Sequence, residues 1–372
     1  MENRKMKFII SGGGTGGHIF PALSIANALR RRMTDCDILY VGALGRMEME
    51  RVPAAGYEIV GLPVAGFDRK RLWRNVGVLL KLWRSMRLAR KTVRSFRPDA
   101  VIGVGGYASG PTLKAAQKMG VPTLIQEQNS YAGVTNKLLG GKARAVCCAY
   151  EGMERFFPAD RIVLTGNPVR ADLAECTLSQ AEAKSRLGFD PARPLLLVVG
   201  GSLGARTINE ALAAALPQIT AEGAQAMWQT GKLYAAEFEP VARKYQGVKA
   251  SAFITDMAVA YRAADLVVSR AGAGTISELQ NLGKAAILVP SPNVAEDHQR
   301  KNAEALARRD AAVMILDAEA RAELGREVVK LLLDAPMRER LAANASAMAL
   351  AGADEKIVDK ILEICKSGNG EE

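Results

Sequence analysis

The chain has 372 residues, 49% of them hydrophobic and 24% charged. That is too long for one ordinary core and suits two folded domains, and it excludes a disordered or fibrous protein. The net charge of +11 is concentrated: Arg69 to Arg97 contains eleven basic residues and no acid, so the rest of the chain balances. Charge of one sign gathered on one segment points to an anionic partner for one surface. No apolar run reaches the ~18–20 residues of a membrane span. The charged start Met1–Lys7 is followed only by Phe8-Ile9-Ile10 before glycines, which is not a signal-peptide pattern, so the chain is expected to stay in the cytoplasm. Five cysteines without a CxxC pair read as reduced, mostly buried thiols, and two distant histidines, His18 and His298, do not make a zinc site.

In chain order the pattern is strand then helix, repeated. Lys7–Ser11 predicts a buried strand and Ile19–Arg32 a helix. Asp37–Val41 and Ala100–Val104 predict strands, Pro111–Met119 a helix and Thr123–Gln126 a strand. After the polar approach Arg186–Pro194 the pattern restarts: Leu195–Val199 is a strand, Gly200–Gly204 a glycine turn, and a helix follows from Ala205. Leu266–Ser269 and Ala286–Pro290 are further strands. Short apolar strands alternating with helices predict an α/β chain of two doubly wound parallel-sheet units, with a hinge near Thr165–Arg170. The last helix, about Asp354–Cys365, is expected to cross back onto the first unit. Ligands of such sheets sit beyond the carboxyl ends of the strands, so two facing sheets imply a cleft to which each contributes.

Three turns carry the chemistry. Ser11–His18 reads SGGGTGGH between a strand and a helix, where glycines admit close approach and a helix N-terminus offers N–H groups to negative charge. Gly12, Gly14 and Gly17 also fit GxGxxG, but Asp37 begins the second strand instead of ending it, which disfavours a dinucleotide. No GK[ST] follows, which disfavours an ATP-type loop; a plain tight turn stays open. Gly200–Arg206 repeats the design in the second unit, with Ser202 and the amides after it facing a phosphate or simply making a turn. Ser269–Leu279 is again strand, small-residue loop and helix; Glu278 could accept hydrogen bonds from ribose hydroxyls or be an ordinary helix-start acid. Pro290–Asn302 could read sugar hydroxyls or be a solvated loop. Asp35-Cys36-Asp37 spells the metal-nucleotide DxD but lies at the start of a strand, the wrong edge of the sheet. The basic segment carries Leu72, Val76, Leu79, Leu80 and Trp83 at helical spacing, bordered by Trp73. This suits an anionic membrane surface, or else a core-facing stripe with a solvated basic face. RNA-binding signatures are lacking.

Gly12–His18 with Ile19-Phe20-Pro21-Ala22, then Gly103–Pro111, Glu127-Gln128-Asn129, Thr135-Asn136-Lys137, Thr165–Arg170, Gly200–Arg206 and Ser269–Glu278 together resemble the MurG family. These are bacterial UDP-N-acetylglucosamine transferases acting on lipid I, undecaprenyl-pyrophosphoryl-N-acetylmuramoyl pentapeptide. Any one glycine loop is weak; the ordered set, running through nearly the whole chain, is specific. The resemblance implies a GT-B fold: residues 1–165 an acceptor and membrane-associating domain, 166–350 a UDP-GlcNAc domain, and 351–372 a helix packed back on the first. It implies an inverting, metal-independent transfer to the 4-hydroxyl of N-acetylmuramic acid, giving lipid II, with no cofactor. Another UDP-sugar transferase with a lipid-linked acceptor is the neighbouring reading. Residue by residue it implies that Thr15, Gly16, Gly17, Asn129, Arg170, Ser202, Ile254, Ala273, Gly274, Thr275, Ile276, Ser277, Glu278 and Gln299 line the donor site. In that set Ile254 acts on the uracil through its backbone, Glu278 on ribose and Gln299 on the sugar. His298 stands where the family pattern leads one to expect glutamine. The basic, Trp-bearing segment corresponds to the family's membrane-associating region, which implies a peripheral protein on the cytoplasmic face of the inner (plasma) membrane, with other cell-wall synthesis proteins as further partners.

The acceptor hydroxyl must lose a proton, and the base has to lie near the first glycine loop. His18 follows that loop at a helix N-terminus, where the helix dipole favours the neutral, base-competent ring. His18 is the expected base, with Glu127 orienting it or substituting for it, and with Tyr107 and Asn136 binding the acceptor.

Overall fold

The computed structural model describes residues 5–64, 76–294 and 297–368. It divides into two compact units, Met1–Val169 with Leu350–Glu372, and Arg170–Ala349. The first unit is built on β1 (Met6–Gly12), β2 (Cys36–Ala43), β3 (Glu58–Leu62), β4 (Ala100–Gly105), β5 (Thr123–Glu127), β6 (Ala145–Cys148) and β7 (Ile162–Leu164). They form a seven-stranded sheet in the order β3-β2-β1-β4-β5-β6-β7, and every pairing is parallel. The side-chain period of two sends Phe8 and Ile10 to one face and Ile9 to the other, and both faces are buried, which is why these strands read as unbroken apolar runs.

The two faces are covered differently. On one lie the helices Gly16–Arg32 and Ala353–Gly368; Ile357, Val358, Ile361 and Ile364 of the last helix pack with Phe8, Ile25, Leu29 and Ile102. Arg31 pairs with Asp354 and Glu355 at the edge of that contact. On the other face the helix Val76–Phe96, among its described side chains, buries only Ser85, Ala89, Thr92 and Val93, with Ala89 and Val93 in the core of that face. Leu79, Leu80 and Trp83 are 55%, 61% and 61% exposed, so the core-facing alternative for this stripe does not hold for them. Of the remaining residues expected to meet a membrane, Leu72 and Trp73 lie outside the described residues, and Val76 begins the helix. Among the described residues no helix is long and apolar enough to cross a membrane.

The second unit repeats the plan with β8 (Leu195–Val199), β9 (Gln225–Gln229), β10 (Val248–Ser251), β11 (Leu266–Ser269), β12 (Ala286–Leu288) and β13 (Val313–Met314). Its six strands run β10-β9-β8-β11-β12-β13, all parallel. In each unit the order reverses beside the first strand, between β1 and β4 and between β8 and β11. The reversal opens a crevice at the carboxyl ends, where the connecting helices leave in opposite directions. The glycine turns follow β1, β4 and β8, and the small-residue turn follows β11, so all four lie at these crevices. Strands β3, β6, β7, β9, β10 and β13 were not foreseen. β9 reads Gln-Ala-Met-Trp-Gln, without a β-branched residue, and is a strand because β8 and β10 pair with it on both sides.

Candidate active site

The first unit's turn is fixed from several sides. Gly13 and Gly14 have φ of +154° and +90°, and a Cβ on Gly106 would collide with the Gly13 backbone, so the turns after β1 and β4 lie against each other. Thr15 caps the helix Gly16–Arg32, and the first-turn N–H groups of Gly16 and Gly17 have no helical acceptor. His18 sits in that turn with its Nδ1 3.3 Å from the Thr15 hydroxyl. A Cβ built on Gly105 would lie 2.9 Å from His18 Nε2 and 3.8 Å from Gln128 Oε1, so the ring borders the Gly105 backbone and the end of β5. Tyr107 stands on the same turn, 55% exposed.

Glu127, at the end of β5, is 1% exposed. Its Oε1 accepts from the Asn129 N–H (3.1 Å) and Asn129 Nδ2 (3.2 Å), and its Oε2 from the Gly133 N–H (3.0 Å) and Asn136 Nδ2 (2.8 Å). All four donors lie on the segment that follows β5, and the His18 ring has the Thr15 hydroxyl beside it. Burial pushes the Glu127 carboxyl up, and the donors from Asn136, Asn129 and Gly133 oppose that shift. Asn136 is correspondingly 3% exposed, and its Oδ1 is buried without a partner. The Thr165–Arg170 motif contributes Asn167, which accepts from Gln126 Nε2 (2.9 Å) and donates to the Gln128 carbonyl (3.0 Å), tying the end of β5 from below.

In the second unit the helix Ala273–Asn281 begins right after the turn that follows β11, capped by Gly272, so the amides of Ala273, Gly274 and Thr275 form its first turn. Ile276 and Ser277 are buried beneath it. Glu278 accepts a hydrogen bond from the Tyr261 hydroxyl at 3.1 Å. Burial pushes its carboxyl up to about 7, against the Tyr261 hydrogen bond and the Arg170 charge, which favour the ionised form. Arg170 is held by Asp172, at 3.0 and 2.5 Å. The second glycine turn is joined to Ile254 by Gln229, whose Nε2 donates to the Gly201 carbonyl (3.1 Å) while its Oε1 accepts the Ile254 N–H (3.0 Å). Of the two backbone groups of Ile254, the N–H is thus engaged inside the protein. Ser202 is exposed on that turn. Gln299 Oε1 accepts the Ser291 N–H (2.9 Å), so its side chain closes the polar loop after β12; Ala295 and Glu296 of that loop lie outside the described residues. Arg270 donates to the Val289 and Pro290 carbonyls and pairs with Asp317 at 2.5 Å, bracing the turns after β11 and β12.

Asp35 and Asp37 pair with Lys5 at the amino end of β2, away from either crevice. Among the described residues no three His, Cys, Asp or Glu side chains are grouped to hold a metal.

Two doubly wound parallel sheets, with glycine-rich turns and a helix N-terminus at each topological switch, make the GT-B fold, and the family match makes it that of a glycosyltransferase. The comparisons agree. Residues 8–148 match the N-terminal domain of glycosyltransferase family 28, and residues 195–359 its C-terminal domain. The chain is 57% identical, over 97% of its length and 99% of the relative's, to the UDP-N-acetylglucosamine–N-acetylmuramyl-(pentapeptide) pyrophosphoryl-undecaprenol N-acetylglucosamine transferase of Parabacteroides distasonis. It is 56% identical to the protein of the same name from Porphyromonas gingivalis, over 98% of this chain and 97% of that one. The crystal structure of Acinetobacter baumannii MurG superposes with a TM-score of 0.77 at 29% identity, covering 96% of this chain and 99% of that one. The chain belongs to the MurG family of glycosyltransferase family 28.

Glu48, Gln229, Tyr261 and Arg270 escaped the sequence reading. Glu48, Gln229 and Tyr261 lie outside the glycine motifs and reach them from another strand or helix, whereas Arg270 lies within the turn after β11 and braces it from inside. The Tyr261 hydroxyl stabilises the Glu278 carboxylate, so Tyr261→Phe should move the Glu278 titration further up from about 7. Carboxyl 13C NMR reads it directly, and an unchanged midpoint would show that the hydroxyl is not its effective partner.

Proposed function

We propose that this chain transfers N-acetylglucosamine from UDP-GlcNAc to the N-acetylmuramoyl unit of undecaprenyl-linked lipid I, producing lipid II for peptidoglycan synthesis. The observation that carries it is the match along 97% of the chain to a relative named for this reaction. The first unit serves the acceptor and the second the donor. The helix N-terminus at Ala273–Thr275 faces the diphosphate, Glu278 takes the ribose hydroxyls, Gln299 reads the sugar, and the Ile254 carbonyl, its N–H being engaged, meets the uracil. Thr15, Gly16, Gly17, Asn129, Arg170 and Ser202 complete the donor contacts, with Tyr107 and Asn136 toward the acceptor.

The chemistry is an inverting displacement. With its Nδ1 proton given to the Thr15 hydroxyl, His18 Nε2 carries the lone pair that takes the proton of the acceptor 4-hydroxyl. That oxygen bonds to the anomeric carbon while the bond from this carbon to the β-phosphate oxygen breaks, and UDP leaves with the electron pair. Amides and a helix N-terminus stabilise the departing charge without a metal. Glu127, its oxygens occupied, places Asn129 and Asn136 and does not itself collect the proton. Exposed Leu79, Leu80 and Trp83, among Lys81, Arg84 and Arg87, rest on the anionic cytoplasmic face of the inner membrane, next to the lipid-linked substrate. Leu72, Trp73 and Val76 belong to the same contact, and other cell-wall synthesis proteins are further partners there.

A transfer assay with labelled UDP-GlcNAc and a lipid I analogue tests the reading. Activity is expected with chelator present, whereas full loss restored by a divalent ion would overturn the metal-free mechanism. In the same assay His18→Ala should lower kcat by ~10²–10⁴-fold with little change in UDP affinity. Near-normal kcat in that variant, with loss in Glu127→Ala, would move the base to Glu127.

Glu278 makes donor binding pH-dependent. The UDP-GlcNAc diphosphate keeps its charge across neutrality, but the carboxylate is the better acceptor for ribose only when ionised, above about 7. Affinity should therefore fall as pH drops from about 8 to about 6, while Tyr261, raised well above its ordinary value, and the guanidinium of Arg170 keep their charge states. Asp172, which pairs with Arg170, faces the same group. Glu278→Gln should flatten the profile, and Glu278→Ala should weaken binding by about 1.5–3 kcal/mol. Calorimetry over that range decides it; a flat wild-type profile would remove Glu278 from the ribose.

Membrane attachment should weaken as salt screens the basic helix, with each residue near the surface worth ~1 kcal/mol at low salt. Flotation with anionic and neutral vesicles at rising salt measures this. Attachment independent of both lipid charge and salt would refute the electrostatic contact.

A further inference from the structure

Glu48 begins the short helix Glu48–Ala54 after β2 and is 0% exposed, an unusual place for an acid. Its carboxyl is satisfied by main chain alone. Oε1 accepts the Gly14 N–H at 3.0 Å and the Ala43 N–H at 2.9 Å, and Oε2 lies 3.1 Å from the same Gly14 nitrogen. The surroundings are shaped to admit it. A Cβ on Gly13 would collide with the carboxyl, and one on Gly42 would lie 2.6 Å from Glu48 Cγ. Gly13 is also the residue whose backbone meets Gly106, next to Gly105, which borders the His18 ring. A single side chain thus joins the end of β2 to the turn after β1, and that turn is wedged against the one after β4.

The Gly14 N–H points inward to a carboxyl group, not outward to a ligand, so Gly14 offers no backbone donor to a phosphate. What the turn presents outward is Thr15 and the first-turn amides of Gly16 and Gly17.

We infer that Glu48 is a positioning residue for the transfer, its buried carboxyl setting the turn Gly12–Thr15 and, through it, the place of the His18 ring. It touches neither substrate; it acts through the turn. The inference rests on the reading of His18 as the base. A displacement of about 1 Å at a catalytic group can cost ~10²-fold in rate.

The test compares Glu48→Gln, Glu48→Asp and Glu48→Ala in the full chain. Glutamine keeps the Oε1 oxygen that serves Gly14 and Ala43 and loses only the second contact of Gly14 to Oε2, so kcat should stay within about ten-fold, the worth of one lost hydrogen bond. Aspartate draws the carboxyl back by one methylene and alanine removes it; both should lower kcat by ~10²-fold. UDP-GlcNAc affinity, by calorimetry, should fall far less than kcat in the aspartate and alanine variants, since the donor contacts of the second unit are untouched and only those of Thr15, Gly16 and Gly17 move with the turn. A purely structural role would lower the melting temperature and shrink the active fraction while leaving kcat per folded molecule alone. Wild-type kcat in folded Glu48→Asp, or a glutamine variant as poor as the aspartate one, would overturn the inference. Gly14 amide exchange provides a readout that needs no turnover: slow in wild type and in the glutamine variant, fast in the aspartate and alanine variants. If wild type itself transfers nothing, the proposed activity fails, and Gly14 exchange alone still decides whether Glu48 holds the turn.

Discussion

A carboxyl group taken out of water keeps its place only if donors replace its lost hydration. Two glutamates, Glu48 and Glu127, obey that constraint in full and a third, partly buried Glu278, only in part, and the turns are arranged around them. Glu48 gathers the Gly14 and Ala43 amides, Glu127 gathers donors from Asn129, Gly133 and Asn136, and Glu278 takes the Tyr261 hydroxyl. The first two are satisfied within the protein and act as fasteners. Glu278 has one side-chain donor and a carboxyl pushed up to about 7, so it gains most from further donors. The difference in satisfaction separates acids that hold the turns from the acid suited to a ligand's hydroxyls.

The sheet order explains why such fasteners are needed. At a topological switch the turns after adjacent strands leave in opposite directions, and little else holds them. In the first unit the turns after β1 and β4 are wedged glycine against glycine, with Glu48 behind one of them. In the second, Gln229 bridges the glycine turn after β8 to Ile254, and Arg270 bridges the turns after β11 and β12. The two units reach the same end with different side chains, as expected where topology is shared and ligands differ. The fasteners are buried, whereas Thr15, Tyr107 and Ser202 on the same turns are exposed.

The basic helix Val76–Phe96 shows how burial and charge divide one element. Its small residues Ser85, Ala89 and Thr92 are buried, Ala89 in the core against the sheet and the helix Ser109–Lys118, which leaves the large residues Leu79, Leu80 and Trp83 outside among the arginines. The Arg87 guanidinium lies 5.8 Å from the Trp83 ring centre, so part of the aromatic surface is already shared with a cation. Spacing alone could not choose between a stripe facing inward and one facing outward, because a helix with two partly apolar faces offers both to the sheet.

The sequence by itself determined the strong strands, the glycine turns that follow them, the concentration of charge and the family, since these are written in short contiguous stretches whose periodicity or spacing needs no partner. It also marked Glu278 and His18, which lie within or beside those stretches. It left β9 and β13 unread, since their residues become strand only through pairing with neighbours. Only the tertiary structure decided which side chains hold the site: Glu48 meets Gly14 across 34 positions, Gln229 meets Gly201 across 28, and Tyr261 meets Glu278 across 17. Such partners are joined by chain crossovers, and no local pattern records them. The tertiary structure likewise decided that Glu127 gathers its donors from Asn129, Gly133 and Asn136. Which donors surround a buried acid is a property of the folded space around it, not of the residues beside it in the chain.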